Sequence, residues 1–206
     1  MIAVSVDCNA LNGAGGGVQN IVDRADLIID NIAHFQALDA DPASVFHNKI
    51  DFARLGLMGH SRGGDAVVMV PPAISLPGVT IRSVVALAPT NFRYWAGQPT
   101  IEPSGYAFMT ILPAGDGDVR DNNGAQFYDR AKPGPFKSQL YVHYTNHDFF
   151  NRHAFGRNRT GTACLADPKL PCRTRSRATC PGRGGCFPGF GKPAQGQSLE
   201  HARFWH

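Results

Sequence analysis

Ser61 stands inside Gly59-His60-Ser61-Arg62-Gly63, a G-x-S-x-G spacing preceded by an apolar run, Leu55 to Met58, and followed by a helical apolar pattern. That context predicts a strand, a strained turn and a helix, with the serine hydroxyl lifted clear of the sheet. Small residues let such a turn close on itself, and the helix that follows directs free N–H groups and partial positive charge at an oxyanion beside Ser61. A serine hydroxyl is a weak nucleophile at neutral pH, so it needs a base within hydrogen-bond reach and a third group that fixes the base's tautomer. Downstream the chain offers acids at Asp116 and Asp118 and histidines at His143, His147 and His153. His147 is favoured because it falls at the carboxyl end of a predicted strand, where open α/β sheets bind ligands.

The elements that must position these residues follow from periodicity. Residues 2–8 (IAVSVDC) read as a short buried strand, and a Gly-rich loop runs from Leu11 to Gly17. That loop lacks the register and context of a phosphate cradle. Apolar residues recur at three and four from Val18 to Leu38, which predicts an amphipathic helix broken near Asp41-Pro42. Phe52–Met58 is the predicted strand into Ser61, and Arg62–Val70 the helix out of it, stopped by Pro71-Pro72. Further strands are predicted at 79–88, 106–112 and 139–144, with a helix over 124–131. Strands alternating with helices predict an α/β fold, a mostly parallel sheet with helices on both faces. Ser61, Asp118 and His147 all fall at strand carboxyl ends of that sheet, in the order Ser, Asp, His that separates α/β-hydrolases from other serine hydrolases.

The elbow, then Gly115-Asp116-Gly117-Asp118-Val119 after one strand and Asn146-His147-Asp148-Phe149-Phe150-Asn151 after the next, resembles the bacterial α/β-hydrolases related to secreted esterases, lipases and cutinase-type polyester hydrolases. The resemblance covers roughly residues 2–155. It implies Ser61 as nucleophile, His147 as general base and Asp118 as the orienting acid, with Asp116 the alternative. It also implies the backbone N–H of Arg62 as one oxyanion donor, a shallow cleft without a lid domain, and a secreted or periplasmic location. His60, Phe92, Trp95 and Phe149 are candidates for the substrate pocket, against the alternative that they cap the core or face neighbouring loops.

By the same resemblance residues 2–8 correspond to the fourth strand of a larger sheet. The strand that lies between it and the elbow strand in the family has no counterpart, nor has the loop that carries the second oxyanion donor. The sequence is therefore expected to represent an N-terminally truncated product whose activity is weakened by that missing donor.

Composition sets the remaining bounds. An apolar fraction of 43% over 206 residues suits one globular domain, and no apolar stretch is long enough to span a membrane. Residues 1–156 carry a net charge of −3 and residues 157–206 a net +7, so the basic balance belongs to a tail. The expected organisation is a partial catalytic core, 1–156, and an irregular Gly/Pro/Arg/Cys-rich segment, 157–206. Cys164, Cys172, Cys180 and Cys186 lack the paired spacing of a zinc site, and they allow two disulfides in any of three pairings. Asp116, Asp118 and Asp121 lack the closing glutamate of a calcium loop, so no metal is expected. The predicted chemistry needs no cofactor. The expected partner is a small or polymeric ester. The competing reading is an inactive α/β-hydrolase fragment that serves as a binding module, and nucleic-acid binding rests on the basic tail alone.

Overall fold

Residues 1–13, 15–119 and 121–150 are described by the structure, a computed structural model; the side chain of Phe149 is outside that description. The four tail cysteines, the basic tail and His153 also lie outside the described residues. A four-stranded parallel sheet forms the centre, in the order β1 (Leu55–His60), β2 (Ile81–Leu87), β3 (Ala107–Pro113), β4 (Lys137–Val142). The α/β architecture is the expected one. Each parallel connection needs a crossover, which is why helices α3 (Arg62–Ala73), α4 (Phe92–Trp95) and α5 (Ala125–Arg130) separate the strands.

Register decides which side chains share a face. Leu57, Val84 and Phe108 are partners across the first three strands, and Gly59, Ala86 and Thr110 form the next row. These rows meet Val67 and Val68 of α3 and Phe127 of α5 in one core, where Val68, Val84 and Phe127 are fully buried. Burial of side chains of this size stabilises by about 1.5 to 3 kcal/mol each. Helix α2 (Val18–Ala40) packs on α3, and its Ile28 joins the same core. The opposite face carries Met58, Val85 and Met109 in one row and His60, Leu87, Ile111 and Leu140 in the next. Met58 is 70% exposed and Leu140 48%. Among the described residues this face is therefore less covered than the one that meets α3 and α5.

Three local expectations are corrected. Residues 2–8 do not form a strand; they run without regular structure, mostly exposed, into the single turn α1 (Asn9–Asn12). Strand propensity counts only where a neighbour takes the backbone hydrogen bonds, and no described strand lies beside this segment. Secondly, Pro71 and Pro72 do not end α3, which continues to Ala73 and closes with the Ile74 N–H on the Val70 carbonyl. Proline's fixed φ is helical, so two prolines in a last turn remove two donors without forcing the backbone out of the helix. Thirdly, the elbow strand begins later than read: Phe52–Arg54 is a 3-10 turn and the strand runs on to His60.

Candidate active site

Ser61 joins β1 to α3 at φ 59° and ψ −123°, a conformation rare for a residue with a side chain. Hydrogen bonds on both sides hold it there. Its N–H donates to the Leu87 carbonyl (2.9 Å), and its own carbonyl accepts from Gly64 (2.9 Å), Asp65 (3.2 Å) and Thr90 (3.2 Å). The tightness of the turn explains its glycines unequally. A Cβ at Gly59 would run into the Gly63 carbonyl, and one at Gly64 would lie 2.9 Å from the Pro89 Cβ. A Cβ at Gly63 would meet nothing within 4 Å, so of the two flanking glycines only Gly59 is imposed by contact.

Strand β3 leads into the turn that carries Asp116 and Asp118. Asp116 folds its carboxylate inward: Oδ1 accepts the N–H groups of Asp118 (2.9 Å) and Val119 (2.7 Å), and Oδ2 lies 2.8 Å from His147 Nδ1. Asp116 and His147 are both buried, whereas Asp118 is exposed. The acid that meets His147 is therefore Asp116, and the expectation for Asp118 is corrected. A carboxylate closing an Asx turn on the residues two and three ahead points back into the fold, while the residue two along it points out. Asp118 still contributes its charge to the surroundings of His147.

His147 starts a 3-10 turn, His147–Phe150, just beyond β4. The β3 and β4 ends are laced together by Ala114 N–H to the Val142 carbonyl and Gly115 N–H to the Thr145 carbonyl, each 2.9 Å. Asn146 Oδ1 accepts the Asp148 N–H (3.1 Å), fixing the start of the turn. A carboxylate can only accept, so His147 Nδ1 carries the proton of the 2.8 Å bond, and in the neutral ring Nε2 holds the lone pair. Burial alone would lower the pKa of His147. The hydrogen bond and charge of Asp116, helped by the charges of Asp118 and Asp148, outweigh it and raise the pKa above 6.5.

His60 links the strand before Ser61 to the turn of His147. Its Nε2 donates to the His147 carbonyl (2.8 Å), and the two rings lie 4.6 Å apart. Burial, then the neighbouring His147, hold its pKa below the usual value, so it is neutral near pH 7. His60 is thus a brace between β1 and the His147 turn. Arg62 likewise reaches a loop, donating through Nη1 to the Gly15 carbonyl (2.6 Å). Its backbone N–H opens α3, where helical N–H groups have no intrahelical acceptor.

Of the remaining pocket candidates, Phe92 and Trp95 lie on the single turn α4. The Phe92 ring sits against Gly16, leaving no space for a Cβ there, and Trp95 Nε1 donates to Asp121 Oδ2 (2.9 Å). Phe149 falls outside the described side chains. His143 is exposed and packs edge-on against Tyr141, away from Asp116. Asp65, in the first turn of α3, escaped the sequence reading; a lone acid in an otherwise apolar stretch, Gly63 to Val70, was the signal available. No group of three or more metal-ligating side chains occurs among the described residues. None of the described helices is long and apolar enough to cross a membrane.

No family model matches the sequence, and no curated protein matches it. Among solved structures, the chain is similar to the Pyrococcus furiosus esterase Pf2001 in space group P21, at 19% identity and TM-score 0.41, over 66% of this chain and 60% of that one. The same esterase in space group P212121 matches at 17% identity and TM-score 0.41, over 69% and 60%. The chain spans about 60% of the length of that esterase. Both are structures of an archaeal esterase, and neither is a bacterial secreted polyester hydrolase.

Proposed function

We propose that this chain is a serine hydrolase that cleaves carboxylic esters through an acyl-enzyme, with Ser61, His147 and Asp116 in the roles of nucleophile, base and orienting acid. One observation carries the reading. A buried histidine, its Nδ1 proton bonded to a buried carboxylate, is braced by His60, the residue next to a serine held in a strained turn. Strain of this kind at the junction of a strand and a helix has a cost and points to a working position for the side chain.

In the proposed cycle Ser61 Oγ attacks the ester carbonyl as its proton passes to His147 Nε2. The tetrahedral oxyanion is met by the backbone N–H of Arg62 at the start of α3. Collapse breaks the bond to the alcohol, which leaves with the proton from Nε2. Water then repeats the sequence on the acyl-Ser61 ester, releasing the acid and the free serine. Asp116 holds the imidazole in the tautomer that leaves Nε2 basic.

The test is hydrolysis of p-nitrophenyl acetate by the chain and by Ser61→Ala, alongside labelling with a fluorophosphonate. The reading expects a loss of hydrolysis and of label in Ser61→Ala. Equal rates in the two proteins would overturn it, and an unlabelled parent would favour the inactive binding module.

A further inference from the structure

Helix α3 buries its inward residues in the core, and Ala66, Val67, Val68 and Val70 are the side chains expected there. Asp65 precedes them and is 1% exposed. An ionisable group in such a place is unfavourable unless its polar atoms are engaged. Asp65 Oδ2 accepts two donors, the Phe92 N–H (2.9 Å) and the Thr90 hydroxyl (3.2 Å). Phe92 is the first residue of α4, so its N–H is one that the helix itself leaves without an acceptor. Thr90 donates its own N–H to the Ser61 carbonyl. The segment between β2 and α4 is therefore tied twice to the first turn of α3, once at Ser61 and once at Asp65.

From that anchorage α4 reaches in two directions. Phe92 rests on Gly16 of the Gly-rich loop, which Arg62 holds through Gly15, and Trp95 is bonded to Asp121 in the loop between β3 and α5. Asn91, fully buried, caps α4 by accepting the Tyr94 N–H (3.1 Å) and donates to Thr100 Oγ1 (3.1 Å). The short helix and its paired aromatic rings, Phe92 and Trp95 at 5.0 Å, are thus placed by buried hydrogen bonds rather than by their own length.

We infer that Asp65 is a positioning residue that sets α4, and with it the Phe92–Trp95 aromatic pair, relative to Ser61, so that it governs how the enzyme holds its ester. The inference rests on the ester-hydrolase reading for its kinetic consequence and stands independently of it for the placement of α4. Asp65 touches no reacting atom in this scheme; it acts through the backbone of Phe92 and through Thr90.

The experiment uses the full chain in a Trp205→Phe background, where Trp95 is the sole tryptophan. Asp65→Ala, Asp65→Asn and Thr90→Val are compared by acrylamide quenching of Trp95 and by kcat and KM for p-nitrophenyl butyrate. Asp65→Ala, which loses both acceptor bonds, is expected to raise the quenching constant about two-fold and KM about ten-fold with kcat within about three-fold. Asp65→Asn keeps an acceptor oxygen and is expected to stay within about two-fold of the parent in both. Thr90→Val removes one bond and is expected to change both in the direction of Asp65→Ala by a smaller factor, which covers the case in which Asp65→Ala fails to fold. Parental quenching in Asp65→Ala or Thr90→Val would overturn the inference, as would equal damage in Asp65→Asn and Asp65→Ala. A parent that hydrolyses no ester overturns the functional reading, while the quenching comparison still decides the placement of α4.

Discussion

Asp116 Oδ2 lies 2.8 Å from His147 Nδ1, and both side chains are almost completely buried, with relative exposures of 1% and 5%. The pair joins the ends of β3 and β4 at the edge of the turn that begins with Ser61. Replacing Asp116 by Asn presents an amide whose NH2 cannot accept the Nδ1 proton and favours the wrong tautomer. Asp116→Asn is expected to reduce kcat by about four powers of ten, whereas Asp118→Asn stays within about three-fold. Steady-state hydrolysis of p-nitrophenyl acetate by the two variants distinguishes them.

Under the proposed mechanism, the raised pKa of His147 sets the acid limb of activity. As base, the imidazole must be neutral, so kcat/KM is expected to rise with pH through a midpoint above 6.5. Loss of the carboxylate in Asp116→Asn moves that midpoint down, because burial is then opposed only by the charges of Asp118 and Asp148. The same shift enters stability. The unfolded state releases the proton at a lower pH than the folded state, so the contribution of the charged pair is complete below pH 6.5 and lost as pH rises through the folded pKa. A pH profile of kcat/KM for the parent and Asp116→Asn checks the kinetic half.

Asp65 shows the opposite balance for an acid. Burial raises its pKa from 3.8 to about 7, against the two hydrogen bonds and the charge of Arg93. Between these values the folded state binds the proton more tightly than the unfolded state, so stability falls as pH rises from about 4 to about 7. Three pKa units correspond to on the order of 4 kcal/mol. Asp65→Asn has no such ionisation, and its stability relative to the parent is expected to increase between pH 4 and pH 8. Urea midpoints of the two proteins at both pH values give the measurement.

The two glycines flanking Ser61 are expected to respond differently. Gly59→Ala drives a Cβ into the Gly63 carbonyl and must displace the elbow, at a cost of about 1 to 3 kcal/mol and with loss of fluorophosphonate labelling. Gly63→Ala meets open space and is expected to change stability by less than about 0.5 kcal/mol. Thermal unfolding of both variants, with labelling of each, separates the two positions.

What could be read from the chain, and what could not, divides along physical lines. Ser61 was legible because a G-x-S-x-G turn needs an apolar strand before it and a helix after it, and both are written in residues 55–70. His147 was legible from its place beyond a strand. The choice between Asp116 and Asp118 was not, since it depends on which way the chain after β3 folds its carboxylates, and the two acids stand two positions apart with Gly117 between them. Residues 2–8 misled because β-branched composition reports what a segment can do beside a partner, and says nothing of whether the partner is there. Pro71-Pro72 misled in the other direction, since proline forbids a helical donor and not a helical φ. The links made by His60, Asp65 and Asn91 join residues 9 to 87 positions apart, beyond the reach of any local pattern.

Strand β1 is the first in the sheet order and is paired on one side only by the described strands. It carries no charged residue and no proline, the usual devices that keep a margin from accepting a foreign chain. Ser61, in its strained turn, therefore directly follows a strand paired on one side by the described strands, and its steadiness is borrowed from the ladder to β2, the Ser61–Leu87 bond and the His60 brace. A disturbance at this rim would reach the elbow directly: a peptide that added to the side of β1 left unpaired among the described residues would act one residue away from Ser61.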